Sequence, residues 1–542
     1  MTARAELLIR GRIVVAARPT GLETAEAIGI AGGRVVAVGD WDDVRDAGRA
    51  GARVVDAGEA VVIPGLHDFH IHLVGLGRSR GAVRLDDAHD GPDVAQRVAR
   101  AAAEAPAGDW INGGGWNEAH LASGTAPLQA AVGDRLAFLS SHDGHSAWAS
   151  AAARRTAGLG PTTPDPEGGL IERDEHGEPT GILREAALDL VAAHVSRLQG
   201  EQLRTPLDET LRELAGLGIT GATEAGDYTD ENGIGADALF GDSYSSLTDL
   251  SDLIDGRLRL TLGIPADAIA AAANRGLRTG IPLDGRGSMR FGWAKEYADG
   301  ALGSGTAALL APRTCGKRDT GIMRVSPDEL DSLFAASRPA GIGMAIHAIG
   351  DRAAREVLDA VARAGPRGAG APNDRLEHAQ LLQSTDAPRF GALGVTASIQ
   401  PIHAAADRDL VESCWDGRQD RAYAWRRLVT AGTLLAAGSD APIESVNPWL
   451  GVFSAVHRRL PTDARGDWRP AEALSVTEAL AAYTLAPAAA IGVADEGHLG
   501  VGARADLAVL SIGLEMLLAA DERLAGVRSE LTLVGGQEVP RG

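Results

Sequence analysis

The sequence is poor in cysteine, in aromatic residues and in long apolar runs, and each shortage excludes a class of protein. Only two cysteines, Cys315 and Cys414, occur in 542 residues, so neither a disulfide framework nor a Cys-rich zinc site can form. No stretch reaches the ~18 consecutive apolar residues that a membrane helix needs. Aromatic residues make up 4% of the chain, so the core must consist mainly of Ala, Val, Leu and Ile.

Positive charge is also scarce. Lys and Arg total 52 against 73 Asp and Glu, which gives a formal net charge of −21. This balance argues against nucleic acid and anionic membranes as main partners, and solubility is the simplest explanation of the charge. The candidate site described below is what predicts a small-molecule substrate. The N-terminus has neither the apolar core nor the cleavage site of a signal peptide, which predicts a cytoplasmic location. Apolar residues at 45% and charged residues at 23% are typical of a folded globular protein.

Strand-like runs alternate with helical stretches along the middle of the chain, which predicts βα units around a parallel sheet. Eight such runs favour a closed (β/α)8 barrel, an α/β fold. They are residues 68–73, 219–224, 257–264, 289–297, 343–348, 375–378, 395–400 and 433–439.

The remaining segments predict two further units. Residues 1–65 and 485–542 are rich in short β-branched runs and turn residues, so we expect one β-sandwich built from both ends. The barrel then takes residues 66–80 and 201–484. Far more chain than one helix separates the first two barrel strands, so residues 81–200 are predicted to form an inserted α+β subdomain that covers the barrel mouth.

Two histidines, two residues apart, end the first predicted barrel strand. Side chains alternate along a strand, so His70 and His72 share one face and can share one metal ion. A cross-strand surface pair is the alternative for an isolated His-x-His. His347 and His378 favour the metal site, because each ends another strand-like run and catalytic groups gather at that end of a parallel barrel.

Asp440 and Lys295 occupy equivalent strand ends. A carboxylate buried there needs a partner, so Asp440 is predicted to bind metal, with an N-cap of the following helix as the alternative. A buried lysine beside cations is disfavoured as an ammonium. The neutral amine can take up carbon dioxide, and the resulting carbamate can bridge two metals. The alternative for Lys295 is an ordinary salt bridge, for example with Asp299.

Further residues are expected around the mouth. His145, in the insertion, and His403, just after the seventh strand, are candidates to stabilise an oxyanion, and each has a capping or structural role as its alternative. In a chain with so few aromatic residues, Trp116 and Trp148 are predicted to line an apolar substrate pocket, with core packing of the insertion as the alternative. Asp299 is a further candidate substrate contact.

The chain resembles the amidohydrolase superfamily of metal-dependent hydrolases over nearly its full length. Within it, the chain is similar to the family 3 branch that contains N-substituted formamide deformylases. The matching stretches are PGLHDFHIH, GDWINGGGWNE, HDGHSAW, AKEYADGALGS, IHAIGDRA, RLEHAQ, QPIH, GSDAPIE and GHLGVGARADLAVL. This resemblance implies a distorted (β/α)8 TIM barrel with a β-sandwich from both termini.

The resemblance also implies a centre of two divalent metals, usually zinc. The more buried ion would be held by His70, His72 and Asp440. The second ion would be held by His347 and His378, with carbamylated Lys295 as the bridge. Two positions depart from the family pattern: His67 adds an imidazole beside the site, and Gly305 stands where relatives often have an arginine.

Together with these ligands, the resemblance implies a hydrolase that cleaves a C–N bond of an N-formyl or N-acyl amine. A metal-activated hydroxide would attack the carbonyl, and Asp440 would carry the proton to the leaving nitrogen. One alternative is a one-metal deaminase of a heterocycle. Such relatives usually carry His-x-x-Glu on the fifth strand, and this chain has His347-Ala-Ile-Gly350 there, which argues against this alternative. Another is a non-catalytic, metal-stabilised binding protein. By analogy with the family, the chain can pair as a homodimer.

Overall fold

The computed structural model describes residues 4–122, 124–195, 201–226, 250–316, 318–368 and 370–541. Their strands form three sheets. The terminal sheet has seven strands: β1 (Ala5–Arg18), β2 (Gly21–Ala31), β3 (Arg34–Gly39), β4 (Gly48–Pro64), β19 (Leu507–Leu510), β20 (Ser529–Val534) and β21 (Gln537–Glu538). The insertion sheet has six: β6 (Val83–Arg84), β7 (Ile111–Trp116), β8 (Ala137–Ser141), β9 (Ser146–Ala149), β10 (Gly169–Arg173) and β11 (Pro179–Glu185).

The third sheet is the barrel, and it confirms the predicted (β/α)8 class. Its eight strands are β5 (Leu66–Ile71), β12 (Ile219–Glu224), β13 (Arg259–Pro265), β14 (Met289–Tyr297), β15 (Met344–Ala348), β16 (Arg375–His378), β17 (Thr396–Ile399) and β18 (Leu435–Ala437). Neighbouring strands are parallel and follow chain order. Every residue of β12, β15 and β16 is buried, as expected for a parallel sheet that helices cover.

Helices surround the barrel and flank the other two sheets. Around the barrel they span Leu73–Ser79, Glu201–Gly216, Ile269–Asn274, Pro327–Ala340, Asp351–Ala364, Ala387–Leu393, Pro401–Ala406, Arg408–Cys414, Trp425–Thr430, Pro448–His457, Val476–Ala482 and Leu485–Ile491. Elsewhere they span Trp41–Asp46, Gly91–Glu104, Ala126–Val132, Ala151–Thr156, Asp189–Ala192 and Leu514–Ala519. Among the described residues, no helix has both the length and the apolar character to cross a bilayer.

Local sequence signals set these boundaries. The helix Pro327–Ala340 begins with a capping box between Ser326 and Glu329 and ends at Gly341, whose φ of 67° is the left-handed conformation typical of a helix C-terminus. In the terminal sheet, β2 and β3 form a hairpin. The chain reverses at Gly32 and Gly33, which have φ values of 57° and 75° that other residues seldom adopt.

Backbone hydrogen bonds between β5 and the segment after β18 close the barrel. The Asp440 amide donates to the His70 carbonyl at 2.7 Å, and the His72 amide donates to the Ala441 carbonyl at 2.9 Å. The buried Asp68 carboxylate accepts from the amides of Ser439 (2.9 Å) and His70 (3.2 Å). These contacts bring the first and last strand ends, and the functional side chains on them, to one point of the mouth.

The insertion has its own hydrophobic core, and both tryptophans predicted to line a substrate pocket lie inside it. Trp116 and Trp148 are 1% and 0% exposed and pack with Leu85, Val94 and Ile182. Burial of this extent leaves no surface for a substrate to contact. We therefore replace the pocket prediction with its alternative, core packing: a small subdomain needs large side chains to fill its centre.

The two cysteines form a disulfide. Cys315, in the loop after β14, is bonded to Cys414, the last residue of the helix Arg408–Cys414, across 99 residues of sequence. Beside the bond, the Thr314 amide donates to the Cys414 carbonyl at 2.9 Å, and the Thr314 hydroxyl donates to the Ser413 carbonyl at 2.6 Å. The bond and its neighbours join loops that follow two different barrel strands.

Loss of this disulfide should destabilise the protein. A cross-link over a long stretch of chain lowers the conformational entropy of the unfolded state and so raises the free energy of unfolding by about 2–4 kcal/mol. We expect the C315S/C414S variant to melt several degrees below the wild type. Thiol titration of the denatured, unreduced protein should find no free thiol and, after reduction, two. A reductant should lower the melting temperature of the wild type and leave that of the variant unchanged. Two free thiols before reduction would contradict the assignment.

Candidate metal centre

Three buried side chains at the barrel mouth are arranged to hold a cation. His70, His378 and Asp440 each offer one ligand atom, and these atoms lie within 4.8 Å of one another. They come from β5, from the end of β16 and from the segment after β18. Imidazole with carboxylate is the donor set that zinc and similar divalent ions prefer. The described residues therefore fit the divalent metal that the sequence predicts.

A carboxylate behind His70 fixes the orientation of its ring. Nδ1 of His70 donates to Oε2 of Glu377 at 2.5 Å, which leaves Nε2 directed at Oδ1 of Asp440, 3.3 Å away. Two guanidinium nitrogens of Arg375 donate to Glu377, one of them at 2.8 Å. Burial alone would raise the pKa of Glu377, but the charges of Arg375 and His70 hold it well below its usual value. The anionic Glu377 thus presents His70 to a metal.

His378 is oriented in the same way by an amide. Its Nδ1 donates to Oε1 of Gln400 at 2.8 Å, so Nε2 remains available as a ligand. Burial and the nearby positive groups hold the pKa of His378 well below its usual value, which keeps the ring in the neutral form that binds metal. Its φ of 72° and that of Asp440, 62°, are left-handed. Such conformations are uncommon outside glycine and concentrate at functional sites.

Asp440 is surrounded by imidazoles. Its Oδ1 accepts from Nε2 of His72 at 2.9 Å, and its Oδ2 lies 3.5 Å from Nε2 of His403. Burial would raise the pKa of Asp440, but His70 and His72 hold it well below its usual value, so the carboxylate stays anionic. The structure thus brings His72 to the centre as a neighbour of the three-residue group.

His347 stands beside the group but is not a member of it. Its ring centre is 4.5 Å from that of His378, and its Nε2 donates to the Gly300 carbonyl at 3.2 Å. Burial, His378 and His145 hold the pKa of His347 well below its usual value. With Nε2 occupied, Nδ1 is the only atom of His347 that can bind a metal.

Lys295 is buried without an anionic partner. It is 5% exposed, and its Nζ lies 4.6 Å from the ring centre of Tyr297. Within the described ranges no hydrogen bond or ion pair of Lys295 is present. Asp299, the alternative salt-bridge partner, instead accepts from three backbone amides, those of Ala308, Ile349 and Gly350.

Asp299 therefore has a structural role, and the prediction that it contacts substrate is corrected. Its side chain is 0% exposed, and burial raises its pKa to about 7. With both carboxylate oxygens bonded to loop amides, Asp299 ties the loop after β14 to the segment that follows β15.

The two candidate oxyanion donors are held by different partners. Gln380 donates its amide to Nδ1 of His403 at 3.3 Å, so the proton of that ring is on Nε2, which is buried without a hydrogen-bond partner among the described residues. Nδ1 of His145 donates to Oε2 of Glu185 at 2.9 Å. Burial would lower the pKa of His145, but the charge of Glu185 raises it above its usual value. Each ring thus has only Nε2 available to a bound molecule.

Several of these partners were not identified from the sequence. Glu377 and Gln380 lie within the matched stretch RLEHAQ, and Gln400 begins QPIH, so adjacency to predicted ligands was the available signal. Glu185 carries no such signal, because it lies in the insertion and meets His145 only after folding.

The two departures from the family pattern are explained by packing. His67 lies on the opposite face of β5 from His70 and bonds Oγ1 of Thr223 at 2.9 Å. Burial, with the positive charges of Arg290 and Arg375, lowers its pKa to about 3. At Gly305, a Cβ atom would lie 1.4 Å from Nη1 of Arg313, so the guanidinium of Arg313 fills the space where a side chain would begin.

Comparisons with known proteins agree with this architecture. Residues 53–540 match the model of the amidohydrolase family. The Protein LONG AFTER FAR-RED 3 of Arabidopsis thaliana is 30% identical over 538 residues, which cover 96% of this chain and 89% of that protein. An N-substituted formamide deformylase of Arthrobacter pascens is 28% identical over 519 residues, 90% of each chain.

The solved structures include an uncharacterized metal-dependent hydrolase from Pyrococcus horikoshii OT3. It superposes with a TM-score of 0.74 at 25% identity, over 95% of this chain and 99% of that chain. The family match spans the insertion, the whole barrel and, in the terminal sheet, most of β4 with β19, β20 and β21. The chain therefore belongs to the amidohydrolase family and is a metal-dependent hydrolase.

Proposed function

We propose that the chain hydrolyses a C–N bond of N-substituted formamides or other N-acyl amines. The observation that carries the proposal is the buried group of His70, His378 and Asp440, in which one nitrogen of each imidazole is already bonded to a protein acceptor. The similarity to a deformylase of N-substituted formamides supports this substrate class.

The proposed cofactor is zinc, held by His70, His72 and Asp440. Bound divalent metal supplies a Lewis acid and brings a water molecule near neutral pKa. We further propose a second ion, held by His347, His378 and a carbamylated Lys295. The isolation of Lys295 supports this, because a buried ammonium without a counter-ion is costly whereas a carbamate would have a cation to bind.

Composition supports the same role for Lys295. Of the 52 basic residues only two are lysines, Lys295 and Lys317. Arginine cannot lose its proton at accessible pH and so cannot become a carbamate. A chain that uses arginine almost everywhere else retains lysine at the buried position beside the metal group.

The protein groups around the centre suit the steps of amide hydrolysis. The anionic Asp440 accepts the proton of the attacking water and delivers it to the leaving nitrogen. Nε2–H of His403, 3.5 Å from Oδ2 of Asp440, donates to the oxygen that becomes negative in the tetrahedral intermediate. The ring of His145, whose Nε2 is available, lies next to His347 with 4.8 Å between the ring centres.

The cytoplasmic location remains a proposal, and the disulfide bears on it. Disulfides persist in oxidising compartments and are rare in the reducing cytosol. If the protein resides in the cytoplasm, the bond between Cys315 and Cys414 should be reduced there, and trapping of free thiols at the moment of cell lysis would measure this directly.

The metal stoichiometry tests the role of Lys295. We expect close to two metals per chain in the wild type, measured by elemental analysis, together with hydrolysis of members of a panel of N-formyl and N-acyl amines. Lys295→Met should lose one metal and at least ~100-fold in kcat, since metal-assisted attack supplies several kcal/mol. Lys317→Met, which alters the other lysine, is the matched control. One metal per chain and a fully active Lys295→Met would contradict the bridging role.

The proton role predicts the behaviour of Asp440→Asn. Removal of a general acid–base group costs roughly 10²–10⁴-fold in rate, and asparagine keeps the shape of the side chain. We expect a kcat loss of this size with an unchanged melting temperature. Asp467→Asn, at a carboxylate 41% exposed and paired with His457, should retain full activity. Wild-type turnover by Asp440→Asn would exclude the proposed proton transfer.

Metal affinity tests the function of Glu377. Loss of a partner that orients a metal-binding histidine typically weakens binding by about 10–100-fold. We expect this decrease for Glu377→Gln in competition with a chelator, because a neutral amide holds Nδ1–H of His70 less strongly. Glu472→Gln, at another buried carboxylate, which pairs with Arg427, serves as the control. Equal affinities of wild type and Glu377→Gln would show that the contact does not tune the ligand.

A further inference from the structure

The insertion contacts the barrel loops at several points, and the carboxylate of Glu185 is one of them. This residue ends β11, and its side chain is 0% exposed. Its amide donates to the His145 carbonyl at 3.0 Å while its Oε2 accepts from Nδ1 of His145 at 2.9 Å. Glu185 and His145 are therefore joined by both backbone and side chain. The φ of Glu185 is 51°, a left-handed value that its surroundings must maintain.

Two groups from the loop after β14 bond to the same carboxylate. Oγ1 of Thr306 donates to Oε1, and Nη1 of Arg324 donates to Oε2 at 3.3 Å. Arg324 also lies over the ring of Tyr297, with its guanidinium carbon 5.0 Å from the ring centre. A buried carboxylate with this many donors is held in a single position, because each broken bond would leave a polar group without water.

Glu185 also packs against the backbone that positions His347. A Cβ atom on Gly300 would lie 2.1 Å from Oε1 of Glu185, so only glycine permits this approach. The carbonyl of the same Gly300 accepts from Nε2 of His347. One carboxylate thus borders both histidines, His145 directly and His347 through one residue of the loop.

We propose that Glu185 is a positioning residue that fixes His145 with Nε2 toward the reacting group. The insertion thereby completes the active site instead of merely covering it. The effect of Glu185 on turnover rests on the proposed function, whereas the position of His145 does not. His145 contacts the mouth, and Glu185 acts through it.

The first arm of the test is kinetic and uses the metal-loaded protein with the best-hydrolysed panel substrate. We expect Glu185→Gln to lower kcat by about 10–100-fold, a loss comparable to that caused when other buried carboxylates that orient histidines are removed. KM should change less than ~3-fold and the metal content should stay at the wild-type value. Glu118→Gln is the matched control, because Glu118 lies in the insertion, is 58% exposed and pairs with Arg184; it should retain the wild-type kcat.

A double-mutant cycle separates positioning from a general structural effect. If Glu185 acts through His145, the H145A/E185Q variant should be no slower than H145A alone, so the two losses should not multiply. Thr306→Val, which removes one donor to Oε1 and keeps the contact with His145, should show a smaller kcat loss of the same kind. Multiplying losses, or wild-type kcat in Glu185→Gln, would overturn the proposal.

The second arm needs no turnover. In protein labelled with ¹⁵N-histidine, the bonded Nδ1–H of His145 should give a proton resonance that exchanges slowly with water. It should be absent from H145A and lost or shifted in E185Q. If the panel is not hydrolysed by the wild type but this resonance depends on Glu185, the proposed function fails and the positioning role stands. An identical resonance in E185Q would refute the positioning role whatever the enzyme hydrolyses.

Discussion

The closure of the barrel between β5 and the segment after β18 is the constraint on which the metal centre depends. The backbone bonds of His70 and His72 to Asp440 and Ala441 set the two strand ends in register, and the Asp68 carboxylate, whose pKa burial raises to about 6, spans the junction. Gly438 permits this approach, since a Cβ there would lie 2.3 Å from the His70 amide nitrogen. The contacts that close the barrel therefore also position the side chains of the metal centre.

Charge inside the barrel is arranged around this junction. Glu377 accepts hydrogen bonds from the Arg375 guanidinium on one side and from Nδ1 of His70 on the other. The charge of this buried carboxylate is therefore compensated without a metal. The Arg375 guanidinium also lies 3.9 Å from the ring centre of Phe69. Pairing of this kind offsets the cost of burying charge. It also holds the orientation of the His70 ring when neighbouring side chains move slightly.

The eight strands and the histidines at their ends could be predicted, because strand periodicity and the position of a residue at a strand end are local properties of sequence. Contacts between distant segments were not accessible in the same way. Glu377 meets His70 from 307 positions away, and Glu185 reaches His145 only when β11 pairs with β9. The scarcity of aromatic residues misled the interpretation of Trp116 and Trp148, since it made core-filling side chains resemble a binding pocket.

The distance in sequence between the ligands has a consequence for synthesis of the chain. His70 is made early and Asp440 late, and the Asp68–Ser439 contact that joins their strands spans 371 positions. A ribosome-bound chain that lacks its last barrel strand can neither close the barrel nor complete the ligand group. Nascent and truncated chains that lack this strand therefore lack the complete ligand group, and hydrolytic capacity arises only when translation of the barrel is finished.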